Sequence, residues 1–542
     1  MFPTNVPDVT HLSIVKKKWK YRGEGNANLV LALPEERVIL RLHKMRRDST
    51  ITKEVEYEEM NRVCREAFFC RMVMVPLLGK AYIQPPIVAR VQHKEIHLLD
   101  RLLLPQRPNF RHHKGITFGY VTIYPDYALL PEQLANPPRL APPHTNTPAV
   151  VCSSRGKCAR LRNSIPHDHS LEDISCVPTT VANVLLQKCI NKSCILSDPV
   201  LNGDLCQLPT VNRKASKNCL HKYKNWHQAA SVPVTEPTFC VEIKPKQGWI
   251  PHSQLNHPKC TFCLNQYLKL SNGAISRISQ YCPLDLFSGD EKRMKQAIRA
   301  LLRTPQNNLK IFKNGHLVYS EESSQTLGHI LRQWLQPSSS ASEESSSLID
   351  SFSSLVHHAL TTDLLGPVDH RPLDDQFVPL ICSRLTKSSP QDISVDKLQP
   401  CDLTYKPLPA NCILDRILWI QKLQQYDTNT INHMLCQYRE CDDYDYVTNL
   451  RDPNSHQLSL DPVQRYLLAT TAKDCSILIA FQRIRSKSTV PAQHIVVDPA
   501  SGTQYVFNIG VSDLDPKPLS CVEKHRKRDA DIQYACSHLL HQ

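Results

Sequence analysis

Two aspartates flank apolar runs late in the sequence: Asp474 stands just before one in TAKDCSILIAF, and Asp513 just after another in QYVFNIGVSDLDPKP. If both runs are neighbouring antiparallel strands, the two carboxylates meet at one end of a sheet. A third stretch, FCVEIKPKQGWIPHS at 239–253, sets Glu242, Lys244 and Lys246 at every second position. In a strand these three share one face, with Val241, Ile243 and Pro245 on the other. A carboxylate pair beside lysines meets the needs of phosphoryl transfer: one acid orients and deprotonates a hydroxyl, another holds magnesium, and cations spread charge off the transferred group. A turn at Gly23 and Gly25 adds backbone amides able to cover nucleotide phosphates. Each piece also has an ordinary structural explanation, since glycine pairs make hairpins and aspartates cap strand ends.

The elements that must position these residues are legible in blocks. Residues 20–42, KYRGEGNANLVLALPEERVILRL, read as a glycine-containing turn followed by two strands joined by a polar hairpin. A helix is predicted over 53–69, with strands near 71–78 and 116–123, and further helices near 260–270 and 290–303. Between 131 and 238 the chain is dense in proline and then rich in Cys, Asn, Ser and Thr, which reads as an insertion. The run PSSSASEESSS at 337–347 reads as a flexible linker, with order in doubt as far as 405.

At 542 residues the chain is too long for one ordinary core, so two lobes or a domain with large insertions is expected. Lys plus Arg exceed Asp plus Glu by 65 to 51, a formal charge of +14 that favours an anionic partner. No signal-peptide pattern and no apolar run of about 18 residues is seen, so an intracellular protein of cytoplasm or nucleus is expected, with no membrane partner. Its 21 cysteines then read as reduced thiols. A zinc-ribbon nucleic-acid binder needs two CxxC pairs, and only Cys260 and Cys263 form one, so no direct nucleic-acid binding is expected.

The order of YRGEGNANLVLAL, CVEIKPKQGWIP, YCPLDLFSGD, TPQNNLKIFKNG, TAKDCSILIAF and DLDPKPL closely resembles the inositol-pentakisphosphate 2-kinase family. The resemblance implies an α+β fold of two lobes, distantly similar to protein kinases, with long divergent insertions. It divides the chain into an N-lobe over 1–130, an insertion over 131–238, the first part of a C-lobe over 239–336, a flexible linker or insertion over 337–405, and the second part of the C-lobe over 406–542. It also implies a monomeric, magnesium-dependent kinase that moves the γ-phosphate of ATP to the 2-hydroxyl of inositol 1,3,4,5,6-pentakisphosphate, giving inositol hexakisphosphate. By motif position, Arg22, Glu24, Gly25, Asn26 and Asn28 form the phosphate-covering loop, and Arg41 takes the place a kinase lysine usually has. Asp126 and Tyr127 belong to the segment that meets adenine, Glu242 lies near the ribose, and Lys310 reaches the nucleotide. Lys244 and Lys246 face the reaction centre and the inositide, Asp474 accepts the hydroxyl proton, and Asp513 holds magnesium.

Inositol pentakisphosphate carries about ten negative charges at neutral pH, so its pocket must be rich in donors. The resemblance assigns Arg46, Arg111, Lys269, Asn307 and Lys517 to it, with Lys44 and Arg47 nearby. The chain departs from the family pattern where plant members carry an arginine and a tyrosine, having Cys521 and His525, and where Asn265 replaces a histidine. Plant members bind a structural zinc through two His and two Cys. Here His433, Cys436, Cys441 and His456 do not match that spacing, and His257, Cys260 and Cys263 read first as core thiols of a helix, so structural zinc is not expected. Two other readings stay open: a non-catalytic inositol-polyphosphate-binding module, and a kinase for a different inositol phosphate.

Overall fold

The computed structural model describes residues 10–136, 236–251, 254, 259–322, 327–335, 345–366, 401–438, 460–485 and 489–540. Most of the predicted insertion at 131–238 lies outside them, as do His257, Cys441 and His456.

The first half supplies strands β1 (Thr10–His11), β2 (Lys20–Glu24), β3 (Asn28–Leu33), β4 (Val38–Arg46), β5 (Ile87–Arg90) and β6 (Lys114–Pro125). They form one sheet in the order β1-β5-β6-β4-β3-β2. Alternation in β4 explains its two faces: Val38, Leu40, Leu42 and Lys44 are buried on one side, and Ile39, Arg41 and His43 lie on the other. The apolar face packs on Ile96, Leu99 and Leu103 of the His93–Leu103 helix. What reads in sequence as a glycine turn is the bulged end of β2, where Gly23 at φ 150° shifts the pairing with β3.

The predicted helix over 53–69 is present as Lys53–Phe69, but the strand expected near 71–78 is helical. The chain runs on through a π turn, Cys70–Met74, and a short helix, Val75–Leu78. Val73, Met74, Leu77 and Leu78 enter the main core of the second half, and a short apolar run buried all round carries no periodicity that separates strand from helix.

The second sheet contains β7 (Thr238–Ile243), β8 (Leu309–Lys313), β9 (His316–Tyr319), β10 (Ser476–Arg483), β11 (Ile495–Val497) and β12 (Gln504–Ser512), in the order β11-β12-β10-β7-β8-β9. Every pair in it is antiparallel. Phe239, Phe481 and Phe507 of its strands meet Trp334 and Phe352, the Phe239 and Trp334 rings stacked with centroids 5.2 Å apart. Phe352 belongs to a helix, Ser345–Thr361, inside the stretch expected to be a flexible linker. Leu348, Phe352, Leu355, Val356, Ala359 and Leu360 are buried at helical spacing, an apolar stripe that the surrounding serines obscure by composition. The whole is α+β, as the sequence leads one to expect.

Candidate active site

Asp474 is the last residue of the Pro462–Asp474 helix, whose start is fixed by a capping box between Asp461 and Gln464. After one intervening residue β10 begins, and its Ser476 pairs with Ser512 of β12, so Asp474 and Asp513 emerge at the same end of adjoining strands. Ile477 pairs with Ile243, which brings the end of β7 to the same place. That strand stops at Ile243, so Lys244 and Lys246 stand beyond it rather than within it. The Lys244 N–H still donates to Asn308 O at 2.9 Å, and the chain then turns at Lys246, φ 60°. Asp513 is also at φ 60°. Two non-glycine residues in this conformation at one strand end are held by their surroundings. For Lys246 the holder is buried Gln421, which donates to Lys246 O at 2.8 Å and accepts from the Gly248 N–H at 2.8 Å.

The side chains converge. Lys244 Nζ lies 3.0 Å from Asp513 Oδ2, Lys246 Nζ 3.4 Å from Asp474 Oδ1, and Lys517 Nζ 2.9 Å from Asp474 Oδ2. Ser476 Oγ is 2.9 Å from Asp513 Oδ2 and 3.2 Å from Glu242 Oε1, so its single proton lies between two carboxylates. Lys310 Nζ stands 3.9 Å from the other oxygen of Glu242. Partial burial pushes the Asp474 carboxyl up, but Lys517, Lys246 and Lys244 together pull it down to about 2. Asp513 is likewise depressed, against burial, by Lys244 and Arg41. Lys246 is pushed below the ordinary lysine value by burial, which together with repulsion from Lys244 and Lys269 outweighs the attraction of Asp474. Lys269, on the Thr261–Ser271 helix, is depressed by burial and by Arg528 of the Cys521–Leu540 helix. A cationic wall therefore surrounds a half-exposed carboxylate that stays ionised at neutral pH. Asn307 is exposed in the turn leading into β8.

The first sheet spends its charges differently. Glu24 is buried between Lys44 and Arg107, with Arg107 Nε and Nη2 at 2.8 and 2.9 Å from its two oxygens, which makes it the strut of the loop rather than its outer surface. Lys44 Nζ and Arg111 Nη1 each donate to Gly25 O at 2.6 Å, and Lys114 Nζ donates to Asn26 O at 3.2 Å. The Gly25 N–H donates to Asn28 O at 2.9 Å and closes the loop. Arg22 pairs with buried Asp126 and lies over the Phe312 ring. Tyr127 is packed rather than presented: its hydroxyl accepts from the Gln84 N–H at 2.9 Å, and a Cβ on Gly510 would run into its ring at 2.2 Å. Arg41 reaches from the first sheet to the second, its fork on Asp515 at 2.7 and 2.5 Å. Arg46 is exposed and pairs with Asp48 at 2.8 Å.

A model of the family described as inositol-pentakisphosphate 2-kinase matches residues 21–531, nearly the whole chain. This chain belongs to that family. A Danio rerio inositol-pentakisphosphate 2-kinase is 25% identical, with 95% of this chain and 92% of that protein covered. An Arabidopsis thaliana inositol-pentakisphosphate 2-kinase is 24% identical with the same coverage, and a Drosophila melanogaster one is 26% identical over 56% of this chain and 49% of its own length.

Against that family the departures acquire a physical meaning. Burial raises the Cys521 thiol to about 11. His525 lies 2.9 Å from the Tyr466 hydroxyl and is lowered to about 4 by burial and by Arg528, Lys473, Lys517 and Lys524. Both are therefore neutral at pH 7, and the positive charge of this edge comes from Arg528, Lys517 and Lys524. Sequence reasoning missed Arg107, Ser476, Gln421 and Asp515. Two of these carried a signal: Ser476 faces Asp513 once strand register is drawn, and Asp515 repeats the alternation of Asp513. Arg107 and Gln421 sit in stretches with no motif.

Proposed function

We propose that the chain transfers the γ-phosphate of ATP to the 2-hydroxyl of inositol 1,3,4,5,6-pentakisphosphate, releasing ADP and inositol hexakisphosphate. The observation that carries this reading is the meeting of Asp474 and Asp513 at one sheet end beneath Lys244, Lys246 and Lys517. Asp474 orients the attacking hydroxyl and takes its proton late, when most of the phosphoryl movement is complete, which allows a base as weak as one with a pKa of about 2. Lys246 and Lys517 hold Asp474 ionised and lie where negative oxygens of the inositide and of the moving phosphoryl group must sit. Lys244 stands between the two aspartates and spreads charge as it develops. The hard oxygen donors of Asp513 and Ser476 fit magnesium, which when bound supplies charge neutralisation at the β- and γ-phosphates. Lys269, which acts on Lys246, and Arg528 beside it add cations suited to a polyphosphate.

The test is a phosphate-transfer assay on the full chain with ATP, magnesium and inositol 1,3,4,5,6-pentakisphosphate, the product position read by phosphorus NMR. Phosphate on the 2-position is the expected result. Turnover at another position, or on another inositol phosphate only, would assign the neutral Cys521 and His525 edge to a different specificity. Tight inositide binding without turnover in either case would replace the kinase by a binding module.

A further inference from the structure

Behind the two lysines that follow β7 lies one buried carboxamide that no motif marks. Gln421 ends the Ile413–Gln421 helix and has no exposed surface. Ile413, Leu414, Ile417 and Ile420 of that helix enter the main core, and the helix packs on the Pro462–Asp474 helix, so the backbone from which Gln421 projects is fixed. Its amide is fully engaged. Nε2 donates to Lys246 O at 2.8 Å and to Ala472 O at 3.2 Å, while Oε1 accepts from the Gly248 N–H at 2.8 Å. Two carbonyls facing the nitrogen and one N–H facing the oxygen admit a single orientation of the amide. We propose that Gln421 is a positioning residue for the reaction: it ties the turn that carries Lys246 to the helix end that carries Asp474, and so sets the inositide-facing cation against the base.

Three observations separate this arrangement from ordinary core packing. Lys246 takes φ 60°, a conformation a lysine keeps only when its surroundings impose it, and the amide grips the chain on both sides of the next residue, at Lys246 O and at the Gly248 N–H. Ala472 O lies two residues before Asp474, at a helix end whose last carbonyls have no partner within the helix. Gln421 supplies one, beside the weak donor Cys475 Sγ at 3.3 Å. The Gln421 carbonyl in turn accepts from Trp249 Nε1 at 3.2 Å, which fixes the far side of the turn. With the two backbones joined through one nitrogen, Lys246 Nζ stands 3.4 Å from Asp474 Oδ1.

The inference rests on the kinase reading and deepens it. Lys244 and Lys246 have separate anchors. The Lys244 N–H is held by Asn308 O at 2.9 Å, at the entry to β8, and its side chain turns to Asp513, whereas Lys246 is held by Gln421 and turns to Asp474. On that reading Asp513 serves the nucleotide and its magnesium, and Asp474 serves the hydroxyl of the inositide. Loosening Gln421 therefore disturbs one substrate and spares the other. A side chain that merely filled space would produce no such division.

Steady-state kinetics of the full chain with each substrate varied, joined to calorimetric titration with inositol 1,3,4,5,6-pentakisphosphate, tests it. Gln421→Met fills much the same space and leaves Lys246 O, Ala472 O and the Gly248 N–H without this partner. The expected result is a fall of about tenfold in kcat and a rise of about tenfold in KM and Kd for the inositide, with KM for ATP within about twofold of wild type. Gln421→Glu keeps the shape but at about pH 8 sets a carboxylate against two carbonyl oxygens. Protonation toward about pH 6, which burial favours, returns one donor, so its activity relative to wild type is expected to rise as pH falls. Phe352→Leu, a cut in the aromatic core under the second sheet, should lower the melting temperature without splitting the two KM values. A Gln421→Met enzyme that keeps kcat and inositide affinity within about twofold, or that raises both KM values alike, would overturn the proposal. A wild type that binds the inositide without turnover would end the kinase reading while the comparison of Kd values still decides Gln421, and a wild type that does neither would end both.

Discussion

The two sheets carry similar charges to opposite ends. In the first, Glu24 is closed in by Lys44 and Arg107, and buried Asp100 is paired with Arg47, so carboxylates are neutralised by cations within the fold. In the second, Asp474 and Asp513 stand half-exposed at a strand end with lysines gathered around them. Buried pairs break at a large cost in stability because removing one partner strands the other, whereas a carboxylate at a solvated sheet end is replaceable without loss of fold. The difference teaches where to look for architecture and where for chemistry.

The largest effect should come from the second sheet. Asp474→Asn keeps the shape and removes the base, and kcat is expected to fall about 10³-fold with the melting temperature and ATP affinity close to wild type. Steady-state kinetics with a thermal melt checks this, and retained turnover would remove Asp474 from proton transfer. The mirror experiment is Glu24→Ala. Its side chain is 1% exposed and its removal leaves Lys44 and Arg107 buried without their anion, so a loss of about 3 kcal/mol in unfolding free energy is expected. A variant that instead melts normally and loses kcat would break the comparison, since Glu24 would then belong to the chemistry.

A smaller effect lies in pH. His525 has a folded-state pKa of about 4 against about 6.5 unfolded, so between those values the unfolded chain binds more protons. The stability it contributes is fully present above pH 6.5 and is lost as pH falls toward 4, by about 2 kcal/mol once screening of this half-buried ring is allowed for. Denaturant unfolding across that range should show the slope, and His525→Gln, which can still accept from the Tyr466 hydroxyl, should flatten it. An unchanged slope would move the acid sensitivity to other groups.

What the sequence discloses follows the range of the forces involved. Strand alternation and strand ends are local, so the meeting of Asp474 and Asp513 is legible from two short stretches and the rule for antiparallel neighbours. The face shared by Glu242, Lys244 and Lys246 is only half legible: the strand ends at Ile243, and the lysines reach the same spot through a turn at Lys246 that Gln421 holds from far along the chain. Arg107 and Glu24, or Cys282 and Cys401, are joined by tertiary packing, and nothing in their neighbourhoods marks them as partners. The Ser345–Thr361 helix shows the converse: its apolar stripe is written locally, yet serine-rich composition hides it from a reading by content rather than by period.

Arg46 sharpens the comparison from its boundary. It ends β4 in the first sheet, but unlike Glu24 or Asp100 it points outward, two-thirds exposed, with its Nε and Nη2 at 3.1 and 2.8 Å from the carboxylate of Asp48. Such a surface pair contributes about 0.5 kcal/mol to stability, so Arg46→Ala should melt like the wild type. On the proposed reading, this guanidinium fork leaves a solvated aspartate for a phosphate of the inositide. The expected outcome is a rise of about fivefold in KM for the inositide, roughly 1 kcal/mol, with KM for ATP and kcat little changed. Equal rises for both substrates would assign Arg46 to the glycine loop instead. No change in either would extend the first sheet's rule of internally satisfied charge to its surface.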